Sequence, residues 1–200
     1  DYSTIQGGIG AAYNGDTVLV QEGTYFENGI RFFNKNLVVG SLFLTTGIES
    51  YITSTVIDGD TSSNSIISFE DGENSANVLI GFTITNGGNS TSQGDGGGIY
   101  LTNASSPTLK NLIVSNNKAS GGGGIFCGYG SNPTLTDILI VNNEGWDGGG
   151  LYCESSSSPS LTNVTLIGNT ANKGGAIKCN EYSNPTLINV TVSGNIANNG

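Results

Sequence analysis

Residues 124–149 read GIFCGYGSNPTLTDILIVNNEGWDGG, and the pattern recurs at a 26-residue step on either side. The prolines Pro107, Pro133, Pro159 and Pro185 keep that step. So do Ile99, Ile125, Leu151 and Ile177, and so do Asn117, Asn143, Asn169 and Asn195. A period of this length indicates a solenoid, because one unit cannot bury its apolar face without a stacked neighbour.

Within the unit the apolar runs are short and alternate, Ile125 and Cys127 to one side and Phe126 to the other, which is a strand signal. Leu135, Ile138 and Ile140 share a face only if the chain turns at Asp137, and at Asn111, Asn163 and Asn189 in the other units. Asn and Asp suit such corners because they tolerate left-handed backbone. The spacing therefore predicts three strands per turn, near Gly124–Gly128, Pro133–Thr136 and Ile138–Val141. Turns of this kind stack about 4.8 Å apart as a parallel β-helix. A leucine-rich repeat is the runner-up, but its L-x-x-L-x-L spacing is missing here.

Upstream the same logic holds less regularly. Ile66–Phe69 and Val78–Thr85 read as another turn, with Phe82 and Ile84 matching Leu112 and Val114. Ile30–Phe33, Leu37–Val39 and Thr55–Ile57 read as strands of earlier turns, and Ser41–Ser54 as a loop with an extended stretch at Leu42–Leu44. Thr4–Tyr13 has helical spacing, with Ser3 as N-cap, and reads as a cap over the first turn. The expected organisation is a cap and first turn over 1–29, irregular turns over 30–97, and regular turns over 98–200. No second cap is legible, so the last turn is expected to be continued by further chain or to associate end to end.

The stretch YSTIQGGIGAAYNGDTVLVQEGTYFEN (2–28) resembles the cap and first turn of right-handed parallel β-helices of the pectin-lyase-like superfamily. Units of the form GGGIY…SSPTLKNLIVSNNKA (96–119) are similar to those of bacterial secreted and surface β-helix proteins, among them the chlamydial polymorphic outer-membrane proteins. The resemblance implies an all-β, right-handed parallel β-helix that is exported to the cell surface or secreted. Its function would be structural or adhesive, with a polysaccharide or another cell-surface molecule as partner. The superfamily also contains enzymes, so a polysaccharide lyase or glycoside hydrolase is the alternative.

Composition bears on partners. Sixteen acidic residues face six basic ones, the net charge is −10, and there is no His. Such a chain is unsuited to nucleic acid, which needs Lys and Arg to neutralise phosphates. Lyase chemistry needs a base beside metal-holding acids, and hydrolysis needs convergent carboxylates. Arg31 is the only arginine, and no acid pair falls on neighbouring turns of one strand face. No catalytic residue is assigned.

Side-chain columns are the remaining candidates. Cys127, Cys153 and Cys179 share the parity of Ile125 and are expected to point inward as buried, reduced thiols, since parallel side-chain vectors fit a disulfide poorly. The Asn column is expected to bond from turn to turn. Tyr100, Phe126 and Tyr152, continued by Lys178, are expected to face outward, where they either stack on sugar rings or pack against a loop. Asp58, Asp60, Glu70, Asp71 and Glu73 lie in loop segments and are either calcium ligands or solvated carboxylates. No other cofactor is expected. Sequons at Asn89, Asn103, Asn163 and Asn189 read as products of the repeat, the last two being expected to be buried at corners.

Overall fold

The computed structural model describes residues 1–60, 64–88 and 96–199 and shows a parallel β-solenoid. Among the described residues its strands form three sheets, of eleven, six and four strands. In the six-stranded sheet the column Ile67, Ile99, Ile125, Leu151 and Ile177 lies in exact 1:1 pairing from turn to turn. The long sheet pairs Leu109, Leu135, Leu161 and Leu187 in the same way. Every pairing is parallel, so all register errors are set against one another: a one-residue slip would expose a whole inward column.

The core fills the space between these sheets. Ile125, Cys127, Leu135, Ile140 and their counterparts one turn on are fully buried, as are Phe32, Phe69 and Phe82 from the irregular turns. Phe82 and Ile84 do align with Leu112 and Val114, across Val78–Ile80 and Thr83–Thr85. Glycine is required where backbones close on each other: a Cβ on Gly124 would sit 2.6 Å from the Gly150 carbonyl oxygen of the next turn.

The corners are where expected but differently built. Asn111, Asp137, Asn163 and Asn189 adopt φ of 49°, 55°, 55° and 52°. Thr134–Val141 is nevertheless one strand bent at Asp137, where the pairing skips only the corner residue, whereas around Asn189 it divides into Thr186–Ile188 and Thr191–Ser193. The third strand of the turn lies further on, at Glu144–Asp147, in a segment where the sequence pattern indicated no strand. It pairs with Lys118–Ala119 and Thr170–Lys173. Three of the corner side chains are also exposed, Asn111 being half-buried: Asn163 and Asn189 point to solvent and bond along the axis, Asn189 Nδ2 to Asn163 Oδ1 at 2.7 Å and Asn163 Nδ2 to Asp137 Oδ1 at 2.9 Å. The expectation that these two sequons are buried is thereby corrected. Asn103 is exposed as well, and Asn89 lies outside the described residues.

The buried amide ladder is the other asparagine column. Asn117, Asn143 and Asn169 are at most 1% exposed. Each Nδ2 donates to the Oδ1 one turn on, at 3.0, 3.0 and 2.9 Å, and to a carbonyl of the preceding turn, as Asn143 does to Val114 O at 2.9 Å. The same Oδ1 atoms also take the backbone N–H of the preceding asparagine. Such complete pairing is what makes a buried amide tolerable.

At the start a helix, Ile5–Ala11, covers the core with Ile5 and Ile9. Its N-cap is Thr4, whose Oγ1 accepts from Gly7 N at 3.0 Å, not Ser3. Glu27 accepts from Ile5 N and Gln6 N at 2.7 and 3.0 Å, and Lys35 donates to the Ile9 and Gly10 carbonyls at 2.9 and 2.8 Å. Opposite charges thus hold opposite ends of the helix, the favourable sense for its dipole. Ser41–Ser54 is not an extended loop either. It holds two short helices, Phe43–Thr46 and Ser50–Ser54.

Candidate functional surfaces

The outer face of the six-stranded sheet carries Tyr100, Phe126, Tyr152 and Lys178 in register. The rings do form a stack: Tyr100 and Phe126 lie 5.3 Å apart at 12°, and Phe126 meets Tyr152 edge-on at 5.6 Å. The expected exposure is lost at two of the three rings, Tyr100 remaining half-exposed. Phe126 is fully buried and Tyr152 is 7% exposed, because glycine backbone passes directly over them. A Cβ on Gly128 would lie 2.6 Å from the Phe126 ring, and one on Gly148 would lie 2.7 Å from Tyr152 Cβ. Of the two readings, packing is the one this geometry fits.

The column ends in a polar cluster that the sequence did not single out. Lys178 Nζ lies 2.6 Å from Asp147 Oδ2 and 5.1 Å from the Tyr152 ring centre. The Tyr152 hydroxyl donates to Glu154 Oε2 at 2.6 Å. Burial, then the Glu154 hydrogen bond and charge, push the Tyr152 hydroxyl well above its ordinary range. The hydroxyl therefore stays protonated near neutral pH and serves as a hydrogen-bond donor to Glu154.

The five candidate calcium ligands fall into three separate settings. Asp58 accepts from Asp60 N at 2.9 Å and from Asn86 Nδ2 at 3.0 Å. Arg31 bridges Glu70 at 3.3 Å and Asp71 at 3.1 Å. Glu73 is 2% exposed, and its Oε2 accepts from Asp71 N and Ser105 Oγ at 3.0 and 2.8 Å. Among the described residues no three of His, Cys, Asp and Glu come together as a metal-holding group.

The thiols follow expectation in part. Cys127 and Cys153 are buried and free; Cys179 is free but exposed. Sulfur hydrogen bonding along the column, with burial, raises the Cys153 and Cys179 thiols far above their ordinary value.

Other exposed groups escaped the periodic reading because they break their columns. Trp146 is 65% exposed on the outer face of the four-stranded sheet, beside the Lys118–Glu144 ion pair of 2.7 Å. Tyr129 and Tyr182 are 60% and 96% exposed at tight turns following the six-stranded sheet. A cavity of about 530 Å³ lies between the cap helix and Thr17–Val20, lined by residues including Ile5, Gly8, Val18 and Tyr25. No described helix is long and apolar enough to cross a membrane.

A family model described as "Right handed beta helix region" matches residues 3–199. Neither the curated proteins nor the solved structures give a match to the chain.

Proposed function

The chain belongs to the right-handed β-helix family, and from that premise we propose that it serves as a rigid extracellular module, secreted or held at a cell surface, with a structural or adhesive role. The observation that carries this reading is the unbroken amide ladder Asn117–Asn143–Asn169–Asn195. It ties each turn to the next through paired buried groups, which favours a stiff rod that presents its surface at fixed spacing. The acidic surface supports the same reading, because net charge of one sign keeps an extended rod soluble.

The test has two arms. Antibody to the chain should label intact producing cells or their medium, and beads coated with the chain should adhere to cells or to glycan-coated surfaces. Labelling only after lysis, together with beads that stay free, would overturn the reading. The lyase or hydrolase alternative draws on one feature, the Lys178–Asp147–Tyr152–Glu154 cluster. Incubation with polysaccharides, read by ultraviolet absorbance of unsaturated products and by new reducing ends, decides it.

A further inference from the structure

After each of the last four strands of the six-stranded sheet the chain makes a four-residue turn, closed by Ser105 N to Thr102 O, Ser131 N to Gly128 O, Ser157 N to Glu154 O and Ser183 N to Asn180 O, at 3.1–3.2 Å. Both central residues of every turn have positive φ: Asn103 and Ala104 (55°, 60°), Tyr129 and Gly130 (52°, 76°), Ser155 and Ser156 (52°, 64°), Glu181 and Tyr182 (48°, 64°). This is the type I′ arrangement, which favours Asn and Gly. A bulky side chain there costs on the order of 1–2 kcal/mol. Tyr129 and Tyr182 bear that strain, yet their rings stand in solvent, 60% and 96% exposed. Among the described residues neither ring nor hydroxyl has a protein partner. Strain that folding does not use is a pointer to function.

We propose that these stacked turns form a binding ridge for a neutral polysaccharide, with Tyr129 and Tyr182 as its two stacking platforms. The proposal deepens the adhesive reading by giving it a site and a ligand class. Tyr129 and Tyr182 are two turns apart, roughly 10 Å at about 4.8 Å per turn. A pyranose ring is about as long as one inter-turn step, so one chain can lay a sugar on each ring and one between them. Tyrosine faces are flat and apolar and match the C–H face of a sugar. Polar groups occupy the shelf between. Ser155 Oγ donates to Glu181 Oε2 at 2.8 Å, and Asn132 Nδ2 donates to Gly130 O at 2.7 Å. Asn132 Oδ1 accepts from Ser158 N at 2.6 Å, and Ser158 Oγ from Asn184 N at 2.9 Å. These amides and hydroxyls retain capacity for sugar hydroxyls.

Charge selects the neutral class. The turns over 128–132, 154–158 and 180–184 contain Glu154 and Glu181 and no lysine or arginine, in a chain of net charge −10. A polyuronate would meet like charge along its length. Backbone bonds from Gly130 N to Ser155 O and from Ser156 N to Glu181 O, at 2.9 and 2.8 Å, hold the ridge rigid before any ligand arrives. Binding then loses little conformational entropy.

Affinity electrophoresis of the 200-residue chain through gels containing hydroxyethylcellulose, galactomannan or polygalacturonate tests the ridge. At least one neutral polymer should retard the chain, and polygalacturonate should not. Tyr129→Gly and Tyr182→Gly should each weaken binding severalfold, up to about tenfold, and the double variant should lose it. Both variants should unfold at the parent temperature or above it, because glycine relaxes the left-handed turn. Trp146→Ala, which removes an exposed ring from another face, should bind as the parent does. The proposal is overturned by no retardation in either neutral polymer, by retardation in polygalacturonate alone, by a double variant that binds normally, by Trp146→Ala abolishing binding, or by tyrosine variants that lose binding only because they unfold early. Failure on these counts leaves the adhesive reading standing on its cell measurements. Retardation by a neutral polymer, with labelling only after lysis and beads that stay free, removes that reading and keeps the ridge.

Discussion

The side-chain amide of Gln6 lies against the backbone of Arg31 as a neighbouring strand would. Its Oε1 accepts from Arg31 N at 2.8 Å, and its Nε2 donates to Arg31 O at 3.2 Å. The cap thus covers the core with Ile5 and Ile9 and also occupies the hydrogen-bonding edge of Ile30–Arg31, which would otherwise template pairing with another chain. Replacing Gln6 by Ala should cost about 1–2 kcal/mol, two part-buried bonds' worth. Urea unfolding measures it, and an unchanged midpoint would remove the cap from the stability account.

The two asparagine columns should respond very differently to mutation. Asn143→Ala strands the Asn117 N–H in the core, leaves the Asn117 amide with only its bond to the Ile84 carbonyl and takes a donor from the Val114 carbonyl, at a cost of roughly 3 kcal/mol. Asn163→Gly removes only exposed bonds and relaxes a φ of 55°, so it should change stability by less than about 1 kcal/mol. Denaturant midpoints of the two variants give the comparison; equal losses would mean the buried ladder has no special weight.

Replacing Ile125 by Asp places a carboxylate among fully buried neighbours, where an unpaired charge costs several kcal/mol. The variant should be unfolded, or nearly so, by circular dichroism at 25 °C. A parent-like melting curve would contradict the register of the six-stranded sheet.

Thiol reactivity should follow position and pH together. Cys179 should label first because it is exposed, yet slowly, because its hydrogen bond to Cys153 and partial burial hold the thiol protonated. Cys127 and Cys153 should label only on unfolding. A raised native value means the folded state keeps its proton after the unfolded chain has lost it. Stability should therefore be full below about pH 9, the ordinary thiol value, and fall as pH rises beyond it. Denaturant titrations between pH 7 and 10.5 check the sign; stability that climbs across that window contradicts the sulfur column.

The last turn should make the isolated chain sticky. Leu187, Ile188, Val192 and Ile196 are 49–56% exposed, whereas Leu161 and Leu166 one turn earlier are fully buried. Sedimentation of these 200 residues should show association that rises with concentration and weakens in Ile188→Lys, since charge on an edge opposes pairing. A monomer at every concentration tested sinks this expectation.

The 26-residue step determined the architecture by itself, because identical residues at one spacing can satisfy their burial only by stacking on each other. Ile125 over Leu151 and Asn143 over Asn169 are legible in the sequence for that reason. What lies outside a strand depends on which backbone passes over it, and no local pattern encodes that. Phe126 alternates outward as read, yet it is buried by glycine stretches that fold back across it. Asn163 and Asn143 are alike in period and chemistry, but only the tertiary path put one in water and the other in the core. The Glu144–Asp147 strand carries no alternation of its own and exists because Lys118–Ala119 and Thr170–Lys173 lie beside it. The short helices over 43–54 form where Leu44 can pack on Gly40, whose missing Cβ would stand 2.9 Å from it. Tyr129 and Tyr182 interrupt their columns in the sequence, but their standing at strained, exposed turns is a property of the folded backbone alone.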